Sequence, residues 1–394
     1  MVLVLVALLA LGALGHTILW VALVNRIHGL GIERRWVDFM TFGCCVALVA
    51  LPPAVGLAVL PQLWGGEGWL PSAASHLAWA YVVGSALVSL LAAAQRWLWR
   101  THPERQKVVV SNHTWVLEQP TKSTESYTAP GWPTWLSRIP GNQVVQASFQ
   151  EKQLLIPRLP RSLDGLRIAH LSDLHMSGRI TKAYFKRIVE EVNRCEPDLI
   201  AITGDIVERS ECLDWIADTL GRLRAAGGVY FVLGNHDRHV DRERLVAALV
   251  DAGLVYLGGT WREVMVRGVP LILAGNELPW FGPAADLGSC PKRDRAGLPL
   301  RVLLAHSPDQ FRWAQRNEID LVLAGHNHGG QVCLPIIGPI TAPSLHGVRY
   351  SAGAFRAGQT VLHVSRGISS LTPLRWNCPP EIAVLNLRSG DFST

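Results

Sequence analysis

The 394 residues show no internal repeat and no ordered cysteine spacing. Cysteine occurs seven times, an odd number: Cys44 and Cys45 lie in an apolar run, and Cys195, Cys212, Cys290, Cys333 and Cys378 are scattered. This spacing is neither metal-type nor disulfide-type, and it fits mostly buried thiols in a reducing compartment better than a secreted disulfide scaffold. A concentrated basic face is missing too. The formal charge is +6, but residues 1–110 hold seven Lys/Arg against four Asp/Glu, which leaves 30 against 27 for the remainder, so each part carries +3. A nearly balanced polar part argues against tracking a phosphate backbone, and no nucleic-acid partner is expected.

Three stretches have no charge at all: 2–24, 39–60 and 77–94. Each approaches the roughly 20 apolar residues that cross a bilayer. The first has no positive segment ahead of it and is longer than the apolar part of a signal peptide, so it reads as an anchor. Pro52 and Pro53 interrupt the second, a feature that membrane helices tolerate. Trp97 and Trp99 follow the third, where an interfacial aromatic belt would lie. Arg26, Arg34 and Arg35 follow the first stretch, and Arg96, Arg100, Arg105 and Lys107 follow the third, whereas 61–76 has no Lys or Arg. The positive-inside rule then predicts three spans in the inner membrane, the N-terminus outside and the polar part in the cytoplasm.

Residues 101–160 lack a sustained period and read as a linker and lead-in, although 144–155 has the character of a strand that Pro157 and Pro160 would end. From 166 the chain alternates. Apolar runs at 166–171, 199–202 and 229–233 are separated by amphipathic stretches at 181–193, 211–225 and 241–252. Short apolar runs between helices are strands buried on both faces, so a parallel βαβαβ sheet is expected, with its site at the carboxyl ends of the strands. After Gly258 shorter strands are expected at 263–266, 271–274, 302–306, 321–324, 360–364 and 382–387, forming a second, mixed sheet. The expected boundaries are 1–100, 101–160 and 161–394.

Each strand end carries a polar cluster: Asp173-Leu174-His175, Gly204-Asp205, Gly234-Asn235-His236-Asp237, His306, and Gly325-His326-Asn327-His328. Side chains two apart on a strand point the same way, so Asp173 pairs with His175 and His326 with His328, while His170 faces away and packs. Two carboxylates, an amide and four imidazoles exceed one ion's needs and suit two divalent ions of Mn, Fe or Zn that share a bridge, for which Asp205 is placed. Two such ions, two carboxylates and a hydroxide leave a formal charge of about +1, which attracts phosphate. A metal-activated hydroxide would then attack phosphorus in line. His236, not needed as a ligand, is placed to protonate the leaving oxygen, with Asp237 as its orienting partner.

The succession DxH…GD…GNHD…H…GHxH resembles the calcineurin-like metallophosphoesterases over about 165–388. The resemblance implies a four-layer α/β/β/α double-sheet sandwich. It also implies Asp173, His175 and His328 on one metal, Asn235, His306 and His326 on the other, Asp205 as the bridge, and His236 as the catalytic histidine. The closing segment Ser365-Arg366-Gly367…Pro373-Leu374-Arg375-Trp376-Asn377-Cys378-Pro379-Pro380-Glu381-Ile382 resembles a bacterial, membrane-anchored branch related to the UDP-2,3-diacylglucosamine pyrophosphatases of lipid A synthesis. That implies a lipid-linked or nucleotide-linked pyrophosphate, or another phosphorylated small molecule, as substrate. On the substrate side, Arg349 and Arg366 are either phosphate clamps or structural ion pairs. Trp280, in Pro279-Trp280-Phe281-Gly282 ahead of Lys292-Arg293-Asp294-Arg295, either meets substrate or anchors a solvated loop. Trp132 and Trp135 are expected on the membrane surface. The competing functions are a catalytically silent scaffold, which should have shed ligands, and a membrane sensor, for which only His16 and the two prolines stand out.

Overall fold

Apolar residues in lipid must satisfy their peptide groups within the segment, and helices do this. Here α1 (Val2–His28), α2 (Arg34–Leu63) and α3 (Ser72–Arg100) form from the three uncharged stretches. Each is long and apolar enough to cross a membrane, and most of its surface faces outward. Pro52 lacks the N–H that would bond the Leu48 carbonyl. His16 repairs this gap: Nε2 donates to Leu48 O at 3.0 Å, so Nδ1 accepts from the Tyr81 hydroxyl at 2.6 Å. Trp20 Nε1 donates to the same hydroxyl at 3.2 Å. The polar residue and the proline that stand out in the apolar runs thus form one hydrogen-bonded joint.

The computed structural model describes residues 2–63, 72–100, 108–117, 126–294 and 297–390. Arg105, Lys107 and Arg295 lie outside them. The chain divides into a helical unit, Met1–Pro103 with Pro343–Gly347, and a second unit, Glu104–Ala342 with Val348–Thr394.

The second unit begins with β1 (Val109–Val116), the short helix α4 (Trp132–Ser137) and β2 (Ser148–Ile156). The stretch expected as a linker and lead-in therefore supplies two strands, which pair with each other, and β2 pairs also with residues 381–389 at the far end of the chain. β3 (Arg167–Leu171), α5 (Lys182–Arg194), β4 (Leu199–Thr203), β5 (Val229–Val232), α6 (Arg242–Asp251) and β6 (Val255–Tyr256) come next as a parallel succession. The helix expected at 211–225 is instead 3-10 turns over Ser210–Trp215 and Leu220–Arg222. Thr219 Oγ1 turns back to the Trp215 carbonyl at 2.7 Å, a local bond that competes with continued helix.

The second sheet holds β7 (Trp261–Val266), β8 (Val269–Asn276), β9 (Leu300–Ala305) and β10 (Leu321–Ala324). It is completed, after α7 (Phe311–Arg316) and the small hairpin β11 (Cys333–Leu334)–β12 (Gly338–Pro339), by β13 (Gly353–Ala357) and β14 (Thr360–Val364). The last strand, β15 (Glu381–Ser389), was expected in this sheet. It returns instead to the first, parallel to β2 and antiparallel to β3, giving the order β1-β2-β15-β3-β4-β5-β6. A mixed α/β double-sheet sandwich results. One apolar core lies between the sheets (Ile168, Leu199, Val302, Leu321, Leu385), and another lies between the first sheet and α5 and α6 (Phe185, Ile188, Leu245, Leu249).

A chain of buried polar groups crosses between the sheets. Lys152 bonds Glu381 and lies 3.1 Å from His363 Nε2; His363 Nδ1 meets His170 Nδ1 at 2.9 Å, and His170 Nε2 meets Thr203 Oγ1 at 2.9 Å. The packed reading of His170 holds. Burial, reinforced by the Lys152 ammonium, pushes the His363 pKa down to about 4, whereas an unfolded imidazole titrates near about 6.5. Between these values the unfolded chain binds the extra proton, so stability falls as pH falls. His363 alone should cost on the order of 3 kcal/mol by pH 4. Thermal unfolding of the full chain in detergent between pH 6.5 and 4 checks this; a flat midpoint would contradict it.

Candidate metal centre

The site is built at the carboxyl ends of β3, β4, β5, β9 and β10, where consecutive loops crowd together. Gly204 is a forced choice, because a Cβ there would lie 2.6 Å from Gly234 N and 2.7 Å from His306 Nδ1. At Gly325 a Cβ would meet Ser172 Oγ at 1.9 Å and Asp173 Oδ2 at 2.3 Å. Backbone strain concentrates here. Asp173, His175, Asp205, His326 and His328 have φ of 53°, 44°, 54°, 71° and 49°, a left-handed conformation that costs a non-glycine residue about 1–2 kcal/mol. Asp173 and His175 do converge, but through these left-handed turns and not through strand alternation, since β3 ends at Leu171.

Asp173, His175, Asp205 and His328 form one group of potential ligand atoms within 4.8 Å of one another, and Asp205, His306 and His326 form a second. Asp205 is common to both. Its Oδ1 accepts the His236 N–H at 2.8 Å. Its Oδ2 is buried and makes no hydrogen bond, though it lies 3.2 Å from His306 Nε2 and 3.6 Å from His175 Nε2.

The tautomers explain why. His306 Nδ1 must donate to the Thr203 carbonyl at 2.7 Å, and His175 Nδ1 to the Glu208 carboxylate at 2.7 Å. With Nδ1 donating, a ring left neutral would turn a bare Nε2 lone pair inward. For His306 that lone pair faces Asp205 Oδ2 and, at 3.2 Å, Asn235 Oδ1; for His175 it faces His328 Nε2 at 3.0 Å. Acceptors facing acceptors need positive charge between them. Without an ion that charge is a proton on His306: burial opposes it, but the Asp205 carboxylate outweighs burial and pushes the pKa up to about 9. Burial likewise raises Asp205, yet His306 and His236 hold it well below the usual carboxylate range. A donor set of oxygen and nitrogen without thiolate fits divalent cations of the Mn, Fe or Zn kind.

Of the other candidates, Trp280 packs its ring 4.7 Å from His326 and 5.6 Å from His306. Arg349 lies over the Tyr350 ring, and Arg366 Nε donates to Glu381 at 3.0 Å. Asp237 is a correction. It does not orient His236: Oδ1 accepts the N–H groups of Ile206 and Val207, and Oδ2 that of Gly234. It clamps two loops, and burial followed by the Asp205 charge raises its pKa to about 7.

The orienting carboxylate is Glu208. Oε1 lies 2.7 Å from both His175 Nδ1 and His236 Nδ1, the latter off the line of a good hydrogen bond, and Oε2 meets His239 Nδ1 at 2.9 Å. Burial opposes its ionisation, yet these imidazoles hold it far below the usual range. A second unforeseen residue is Arg375, fully buried, which donates to the carbonyls of Arg366 and Ser369 and sits 3.3 Å from His328 Nδ1. The only prior signal for Glu208 was its place three residues after Asp205.

Known proteins are similar to this chain in sequence. Residues 166–330 match the calcineurin-like phosphoesterase family. The metallophosphoesterase YkuE of Bacillus subtilis is 32% identical over 238 residues, covering 59% of this chain and 82% of that protein. The phosphodiesterase YaeI of Escherichia coli is 32% identical over 226 residues, covering 56% and 82%. A zebrafish (Danio rerio) transmembrane protein with metallophosphoesterase domain is 30% identical over 230 residues, covering 55% and 51%. This likeness, over a fold whose loops bring the ligand-type residues together, means that the chain belongs to the calcineurin-like metallophosphoesterase family of phosphoester hydrolases.

Proposed function

We propose that the chain is a membrane-anchored hydrolase that holds two divalent ions. Asp173, His175 and His328 would surround the first, Asn235, His306 and His326 the second, and Asp205 would lie between. The supporting observation is the bare Asp205 Oδ2 facing two inward imidazole nitrogens. When bound, such ions supply Lewis acidity and bring the pKa of a water toward about 7.

The chain's own residues do the rest. Glu208 fixes the ring of His175 and faces the ring of His236, leaving His236 Nε2 to carry the proton. The His236 side chain is 20% exposed, so it can reach both solvent and the leaving oxygen. Burial disfavours its charge, but Asp205 and Glu208 raise its pKa, which favours the protonated ring that a proton donor needs. Trp280 sets an apolar ring against the second group.

The name of the Escherichia coli relative, a phosphodiesterase, favours diesters. The likeness of residues 365–382 to a branch acting on UDP-diacylglucosamine favours a lipid-linked pyrophosphate, as in lipid A synthesis. The basic flanks of the helices favour three spans with the hydrolase in the cytoplasm. A silent scaffold is disfavoured because the ligand set and His236 are all present, and His16 and Pro52 have a structural role that needs no sensor. The test is a panel of aryl phosphates, phosphodiesters and nucleotide-linked lipids on Mn-loaded full chain, with metal analysis. Hydrolysis with two ions per chain is expected; no hydrolysis of any member would overturn the reading. In the same assay Glu208→Gln should lose about 10–100-fold in metal affinity or kcat, the usual cost of removing a ligand's outer partner.

A further inference from the structure

We infer that an apolar rim beside the metal centre presses into a lipid surface, so that the phosphoester taken is a lipid headgroup; this rests on the hydrolase reading above. Directly after the His328 loop the chain runs into the β11–β12 hairpin. Its tip carries Ile336, 89% exposed, and Ile337, 50% exposed, with Leu334 and Ile340 also exposed beside them. Ile336 has φ of 66°, where a β-branched residue is a steric outlier and glycine or asparagine is the cheap choice. A turn built only to meet water has no use for isoleucine there.

The hairpin is tied to a second apolar segment. The Cys333 N–H donates to Trp376 O at 2.9 Å and the Trp376 N–H to Gln331 O at 3.0 Å, while the Trp376 side chain is 54% exposed. Asn142 extends the link, its Nδ2 donating to Leu136 O of α4 at 2.9 Å and to Pro373 O at 2.8 Å, across 231 positions. That short helix exposes Trp132 and Trp135, and the Arg179 guanidinium lies 5.3 Å over Trp132. Isoleucine, tryptophan and a cation on one hydrogen-bonded rim are the composition of a lipid interface with anionic headgroups.

The next stretch of chain favours a bilayer over a protein partner. Residues 343–347 group with the apolar helices, and a Cβ on Gly29, at the end of α1, would lie only 2.7 Å from Leu345 N. Only Thr341 and Ala342 separate Ile340 from that segment, a reach of at most ~10 Å. The strand leaving the hairpin therefore runs directly into a segment of the helical unit.

The experiment uses the full chain in vesicles of phosphatidylethanolamine and phosphatidylglycerol, with or without brominated acyl chains. A fluorescent amino acid placed at 336 should be quenched by the bromines. The same probe at Met265, exposed on β7 of the second sheet, should not. Equal behaviour of the two, or a shielded and unquenched probe at 336 (cover by a second copy of the chain), overturns the proposal. The double change Ile336→Glu and Ile337→Glu should leave hydrolysis of dissolved bis(p-nitrophenyl) phosphate unchanged. It should lower turnover of a vesicle-borne phosphoester lipid by about tenfold or more. Equal loss on both substrates overturns it. A parent chain inactive on every phosphate sinks the hydrolase reading instead, and the quenching experiment still judges the rim.

Discussion

An Asp205→Asn chain should lose about 10^3-fold or more in kcat/KM on aryl phosphates and should bind fewer than two ions. The change keeps the volume and the oxygen that accepts the His236 N–H at 2.8 Å, so the loops keep their shape. What disappears is the negative charge facing His306 Nε2 at 3.2 Å and His175 Nε2 at 3.6 Å. Two groups of ligands share this one carboxylate, so neither half keeps its full set. Metal analysis beside steady-state kinetics makes the check. Full activity with two ions retained would remove Asp205 from the centre.

His236→Ala should behave differently. Its backbone N–H, which holds Asp205, remains, so both ions should still bind, while kcat should fall by about 10²–10⁴. The loss should depend on the leaving group. A p-nitrophenolate departs with little need of a proton, whereas an alkoxide cannot, so alkyl phosphates should suffer most. Equal losses across a series of leaving-group pKa values would deny His236 the role of proton donor. The half-open position of the ring against Glu208 is what makes that role available.

The motifs are local, and several of their Asp and His side chains do come together in the structure. Each apolar run ends in its polar cluster, and β4 and β5 are short and fully buried as the runs imply. Errors arose where adjacency in sequence was taken for adjacency in space. Asp237 follows His236, yet its side chain turns back to the amides at 206, 207 and 234. Glu208 reaches His236 from another loop, and nothing in its immediate neighbours announces this. Strand partners are equally non-local. β1 pairs with β2 across an intervening helix and β2 with β15 at the far end of the chain, and no periodicity within 101–160 or 382–387 could assign them to the first sheet. Arg375 reads as one cation among many, and only tertiary packing reveals three-dimensional closure around its guanidinium.

The left-handed turns at 173, 175, 205, 326 and 328 also constrain heredity. A lineage that abandoned the reaction could not refill these positions at random, because valine or isoleucine would clash with the main chain whatever chemistry was lost. Glycine would be welcomed, since each such exchange relieves about 1 kcal/mol of distortion. Drift away from catalysis would therefore make the fold sturdier and leave a recognisable scar, glycine and asparagine standing where aspartate and histidine once did.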